Sequence, residues 1–171
     1  PYQSAIKSIL EEKPYPVKAG IFILTDPLIS YPDSTKTYKA LMKLDFMVVL
    51  DIFMTPTAAL ADIVLPVAHG SEHDTVGYWP PDTGEIRAYP KLIDPPGESW
   101  SDMKIINELA KKMGLRDDFW DNENEALDYM LEPSGLSFQD FKQKRILLPT
   151  KEKYKKYEDG GFKTPSGKVE I

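Results

Sequence analysis

Residues 44–66 read LDFMVVLDIFMTPTAALADIVLP, and the order of features inside this stretch decides the fold. Residues 46–50 are an unbroken apolar run of strand length, the pattern of a parallel strand covered on both faces. The run ends at Asp51. Four residues on, Thr55 can cap a helix start by accepting from an early backbone N–H, and Pro56 takes the first helical position, where its missing N–H is harmless. Residues 57–61 continue the turn, and a second short strand spans 62–65. A carboxylate at the carboxyl end of a strand, beside a turn whose free N–H groups favour phosphate, is where open α/β sheets bind ligands. The stretch reads as the nucleotide-holding edge of such a sheet.

Working upstream, residues 21–24 supply another strand. Asp33 or Ser34 can cap a helix with Tyr38, Leu41 and Met42 on one face, which completes a βαβ unit with the strand at 46–50. Thr25 and Asp26 directly follow the first strand and would line the same crevice as Asp51. Residues 1–19 hold a short amphipathic pattern at Ile6, Ile9 and Leu10 that Pro14 and Pro16 break.

Downstream, residues 66–98 dissolve into Gly, Pro and Asp with Tyr78, Trp79 and Tyr89 among them, which predicts a long irregular excursion packed on a neighbour. Ser101 then caps a helix with Ile105, Ile106, Leu109, Ala110 and Met113 on one stripe, Lys111 and Lys112 in its last turn and Gly114 as its stop. A second helix over 122–131, capped by Asp121, should bury Ala126, Leu127, Met130 and Leu131. Ser137 and Asp140 form a capping pair for a short third helix carrying Phe138 and Phe141. Residues 168–171 read as a strand.

The chain has 171 residues, of which 42% are hydrophobic and 28% charged, enough for one domain with a real core. A formal net charge of −6 disfavours a nucleic-acid surface. The densest basic cluster, Lys151, Lys153, Lys155 and Lys156 among Tyr154 and Tyr157, reads as a solvated face or linker. The absence of cysteine excludes a disulfide framework, thiolate catalysis and any cysteine-ligated iron–sulfur or zinc site within these residues. No apolar run approaches the roughly 18 residues of a spanning helix. A first residue of Pro1 and a last residue of Ile171 inside a strand pattern suggest a piece of something longer. Nothing in the sequence assigns a compartment.

Each candidate residue has a plain structural role beside its functional one. The Asp51 carboxylate offers two acceptor oxygens, which can meet the adjacent N–H and amine of a guanine edge bidentately or take ribose hydroxyls; alternatively it bonds local N–H groups as a turn former. Capping alone explains Thr55. Asp102, just after Ser101, is favoured by the helix dipole without any ligand. His69, Glu72 and His73 lie in H-G-S-E-H, the spacing of an inverted zinc-peptidase motif, but that motif needs a helix, and Pro66 and Gly70 make a poor one. No Ser-His-Asp set, P-loop or G-x-G-x-x-G is present, so no residue is assigned as catalytic or as a metal ligand.

The segment D-I-F-M-T-P-T-A-A-L-A-D-I-V-L-P at 51–66 closely resembles the signature of the molybdopterin oxidoreductases of the dimethyl sulfoxide reductase type, which include formate dehydrogenases, nitrate reductases and polysulfide or thiosulfate reductases. Residues 21–27, IFILTDP, resemble that family's strand and turn, with Asp26 where an asparagine is usual. Residues 95–98, PPGE, followed by 102–110, DMKIINELA, resemble its acidic helix start, with Met103 where an aromatic is common. Residues 161–171, GFKTPSGKVEI, resemble the approach to its C-terminal barrel.

The resemblance implies an α/β fold with a Rossmann-like parallel sheet in a three-layer α/β/α arrangement, followed by a helical segment. It implies a βαβ portion over 1–66 that binds a pterin guanine dinucleotide, an irregular excursion over 67–98, a helical segment over 99–145 and a linker over 146–171 leading to a barrel. Asp51, Thr55, Asp102, Thr25 and Asp26 would contact the cofactor, a molybdopterin guanine dinucleotide carrying molybdenum or tungsten, with Asp102 at its guanosine end. Iron–sulfur cysteines and the metal's protein ligand would lie outside these residues. The partners implied are the remaining domains of the same polypeptide and an iron–sulfur electron-transfer subunit, with neither nucleic acid nor a membrane segment. The alternative is a stand-alone α/β nucleotide-binding or interaction module without redox role.

Overall fold

The computed structural model describes residues 2–78, 85–147, 155, 157–158 and 160–170. Helix α1 (Tyr2–Glu11) leads into strand β1 (Ala19–Ile23), a one-turn helix α2 (Pro27–Ser30), helix α3 (Ser34–Leu41) and strand β2 (Phe46–Asp51). Strand β3 (Ile63–Pro66) completes a three-stranded sheet in the order β1-β2-β3, parallel throughout. The expected βαβ unit and the parallel pairing of all three apolar runs are therefore present. Asp33 caps α3, its Oδ1 accepting from Lys36 N at 3.0 Å. The buried face of α3 is Thr37, Ala40 and Leu41; Tyr38 and Met42, expected on that face, are exposed, because Ala40 sits against Ile6 and Ile9 of α1.

The second parallel connection is short. It runs from Ile52 to Asp62 and contains only a three-residue 3-10 turn, Ala58–Leu60, where the sequence reads as a capped helix. Asp62, expected inside the strand, stands just before it: its backbone N–H donates to Met47 O at 2.9 Å while its Oδ2 accepts from Met47 N at 2.6 Å. That paired exchange fixes the register of β3 on β2 without a crossover helix.

A second region follows. Strands β4 (Thr75–Tyr78) and β5 (Ile86–Tyr89) form an antiparallel pair inside the stretch read as irregular. Four-residue strands interrupted by Gly77 and Arg87 carry too little alternation to be seen among so many turn formers. Helices α4 (Asp102–Lys112), α5 (Glu123–Leu131) and α6 (Phe138–Lys144) come next, and β6 (Ile146–Leu147) pairs antiparallel with β5. Ser101 and Ser137 cap α4 and α6 as expected. For α5 the cap is Asn122, whose side chain accepts from Glu125 N at 3.1 Å, rather than Asp121. Leu127, Leu131, Phe138, Phe141 and Ala88 make the buried core of this region, while Met130 is exposed.

Beyond β6, Thr164 Oγ1 donates to Lys168 O at 2.7 Å and Gly167 N to Thr164 O at 3.0 Å, so 168–170 belong to a local turn and not to the strand expected there. Trp79, Lys151, Lys153, Tyr154, Lys156 and Ile171 lie outside the described residues.

Candidate functional site

Parallel strands deliver their carboxyl ends to one edge, and here that edge collects all five candidate residues. Thr25 and Asp26 follow β1, Asp51 ends β2, and Thr55 lies in the turn after it. The fourth position is supplied from far along the chain. Trp100 forms a parallel bridge with Val67, with Ala68 N donating to Trp100 O at 2.8 Å and Trp100 N to Pro66 O at 3.3 Å. Asp102 therefore enters at the same edge, on the far side of β3 from Asp51.

The strand end at β1 is bent by Leu24, whose φ of 48° lies in the left-handed region that a leucine rarely adopts. Such a position costs on the order of 1–3 kcal/mol and is held only where its surroundings fix it. Leu24 N donates to Leu50 O at 2.8 Å, so β2 supplies the hold, and Thr25 and Asp26 are thrown out over the edge.

Asp26 does not cap α2; its side chain instead accepts a hydrogen bond from Thr57 Oγ1. Thr57 Oγ1 in turn accepts from Leu28 N at 3.2 Å, and Thr57 is fully buried. Thr57 is the residue of this candidate edge that the sequence reading did not name. Its signal was present, a second threonine two residues after the capping one, but either hydroxyl could serve the turn. Thr55 Oγ1 does accept from Ala58 N at 3.1 Å, the capping bond expected of it, although the helix it would start is one 3-10 turn.

That shortening matters for chemistry. The N–H groups of Ala58, Ala59 and Leu60 are taken by Thr55 Oγ1, Thr55 O and Thr57 O, so these three are not offered to a phosphate. Instead the edge carries the carboxylates of Asp26, Asp51 and Asp102. Asp51 is half-buried and its Oδ1 accepts from Phe53 N at 3.1 Å, an Asx-type turn that aims the carboxylate along the strand end. Asp102 Oδ1 accepts from Met103 N at 2.8 Å, which serves the helix start, and Ser101 joins α4 to α5 by donating its hydroxyl to the Glu123 carboxylate. A donor-rich group suits such an edge: a guanine N–H and amine, or ribose hydroxyls. Large apolar side chains rim it, with Phe53 and Met54 73% and 70% exposed.

On the outer side of β3, a groove of roughly 800 Å³ separates the strand from α4 and is lined by Leu65, Trp100, Ile105 and Leu109 among others. Glu108 also lines it; the hydrogen bond from Lys111, at 2.9 Å, holds its carboxyl below the usual range. His69, Glu72 and His73 serve local loop structure: His69 N donates to Glu72 Oε2 at 2.8 Å, and His73 Nδ1 lies 3.1 Å from Asp74 O.

Comparison with known proteins converges on one family. The family model described as Molybdopterin oxidoreductase matches residues 2–112. Acetylene hydratase of Syntrophotalea acetylenica is 36% identical over 164 residues, which is 94% of this chain and 22% of the relative. The F420-dependent formate dehydrogenase subunit alpha of Methanocaldococcus jannaschii is 39% identical over 127 residues, 74% of this chain and 18% of that subunit. Among solved structures, acetylene hydratase from Pelobacter acetylenicus superposes with a TM-score of 0.85 at 33% identity, covering 98% of this chain and 23% of that one. The chain thus spans about a quarter or less of the relatives it matches.

Proposed function

The chain belongs to the molybdopterin oxidoreductase family, and we propose that it forms part of a catalytic subunit in which its parallel-sheet edge holds the guanosine end of a molybdopterin guanine dinucleotide. Family membership implies a molybdopterin cofactor with molybdenum or tungsten. The observation that supports the finer reading is the chemistry of the edge: three carboxylates from separate segments, two after the adjacent strands β1 and β2 and the third across β3, beside a turn in which the N–H groups of Ala58, Ala59 and Leu60 are already bonded. Acceptors of this kind match the donors of guanosine and repel phosphate.

Asp51 would take the guanine N–H and amine or a ribose hydroxyl, with Asp102 on the other side of β3 and Thr25 and Asp26 beside it. Thr55 would shape the turn that holds Asp51 in place. When bound, the cofactor's metal centre supplies the oxygen-atom, hydride or electron transfer, and this chain's residues supply placement. The remainder of the subunit would bring the metal's protein ligand and an iron–sulfur cluster, and an iron–sulfur subunit would carry electrons. Measuring pterin nucleotide and metal bound to full-length protein with Asp51 replaced tests the reading: unchanged cofactor content would remove Asp51 from the site.

A further inference from the structure

Asp102 reaches the sheet edge from far along the chain, and the two residues before it are fixed to different parts of the fold. Trp100 exchanges backbone hydrogen bonds with Pro66 and Ala68 at the end of β3, and the Lys104 ammonium lies 4.0 Å from the centroid of the Trp100 ring. Ser101 is 4% exposed. Its hydroxyl accepts from Lys104 N at 3.1 Å, the bond that starts α4, and donates to the Glu123 carboxylate. Asp102 Oδ1 accepts from Met103 N, while its Oδ2 accepts no hydrogen bond among the described residues.

A hydroxyl has one proton and two acceptor lone pairs, so the group that takes the proton also decides where the lone pairs point. Glu123 takes it, and thereby turns the Ser101 oxygen toward Lys104 N. An exposed cap can give its proton to water, whereas burial makes a lost partner costly. Glu123 is the first residue of α5, whose buried side is Ala126, Leu127 and Leu131, so the contact depends on where α5 begins and not on the packing behind it. A cavity of roughly 360 Å³ opens beside the contact, lined by Trp100, Ser101, Lys104 and Glu123 among others, so among the described residues no packed side chain would hold the turn if the bond were lost. We infer that Glu123 is a positioning residue for Asp102: by accepting the Ser101 proton it holds residues 100–102 from the α5 side, while Trp100 holds them from the sheet, and the free Asp102 oxygen is kept facing the donors of guanosine. Glu123 acts through Ser101 and needs no contact with the cofactor. The role rests on the reading of Asp102 as a guanosine contact.

Four full-length variants, Glu123→Ala, Glu123→Gln, Asp102→Ala and the Asp102→Ala/Glu123→Ala double, are compared for the rate at which bound pterin nucleotide is lost and for amide exchange at Lys104. Glu123→Gln keeps an acceptor for the Ser101 hydroxyl but removes the charge that the α5 dipole favours. The expected result is release about three- to tenfold faster in Glu123→Ala and within about twofold of the unmodified protein in Glu123→Gln. Exchange of the Lys104 N–H should quicken in Glu123→Ala and recover in Glu123→Gln. In the Asp102→Ala background, Glu123→Ala should add less than about twofold, because both changes act on one contact. The inference is overturned by a Glu123→Ala protein that holds its cofactor normally, by losses that multiply in the double variant, by a loss that Glu123→Gln does not restore, or by unchanged exchange at Lys104. In each of these cases the functional reading survives as long as Asp102→Ala loses cofactor. Release unchanged in Asp102→Ala removes Asp102 from the site and defeats both.

Discussion

Thr57 and Asp26, 31 residues apart in sequence, are joined by a hydrogen bond from the Thr57 hydroxyl to the Asp26 carboxylate, which ties the turn after β2 to the turn after β1. Because Leu28 N donates to the same hydroxyl, one buried threonine spans two of the loops that form the candidate site. The edge is thus braced before any ligand arrives.

Thr57→Val keeps the shape but removes both bonds, leaving the Leu28 N–H and one Asp26 oxygen without that partner. The expected loss is about 1–3 kcal/mol of stability. Thr57→Ser keeps the hydroxyl and removes a methyl, for about 1 kcal/mol. Denaturation of the full-length variants checks the order; equal losses would assign Thr57 to packing alone.

The second core should be independent of the site. Phe141 is fully buried with Leu127, Leu131 and Phe138, so Phe141→Ala is expected to cost about 3–5 kcal/mol. Cofactor content per folded molecule should not change. A selective loss of pterin in the folded fraction would couple this core to the sheet edge.

Much of this was legible in the sequence, for identifiable reasons. The strands at β1, β2 and β3 are apolar runs with no competing pattern, and serine caps at Ser101 and Ser137 announce α4 and α6. Long-range pairing is what escaped. Trp100 joins the sheet edge through a bridge to Val67 that no local pattern encodes, and Asp62 sets register by a side-chain bond where a strand residue was expected. The stripe of α4 is where the periodicity puts it, but only part of it is covered: Ala110 is buried, while Leu109 and Met113 are exposed. The sequence named the five candidate residues that the structure gathers at the sheet edge; Thr57, which ties two of their loops together, it did not name, because a buried threonine and a capping threonine look alike two residues apart.

Residues 1–171 alone are expected to show no turnover with viologen dyes and common substrates of the family, because these residues contain no cysteine and offer only the placing edge of the proposed cofactor. Cofactor-dependent turnover by this chain alone would mean that the metal's protein ligand lies within it.

Asp51 allows the turn and the ligand to be separated. Its Oδ1 accepts from Phe53 N, so Asp51→Ala removes the turn bond and the proposed cofactor acceptor together. Asp51→Asn keeps an acceptor for Phe53 N, and asparagine favours the same turn, but the second oxygen becomes an amine that opposes the guanine donors. If Asp51 serves the cofactor, Asp51→Asn should leave stability within about 0.5 kcal/mol while weakening cofactor retention by about 1–3 kcal/mol, a factor of roughly 5 to 150. Thr55→Ala should do the reverse, costing about 1 kcal/mol at the turn whether or not cofactor is present. Bound metal and pterin nucleotide, measured beside thermal stability for the three variants, decide between the roles. Full cofactor content in Asp51→Asn would leave this carboxylate a turn former, and the guanosine contact would pass to Asp102, the other carboxylate at the edge that stands free of the Thr57 brace.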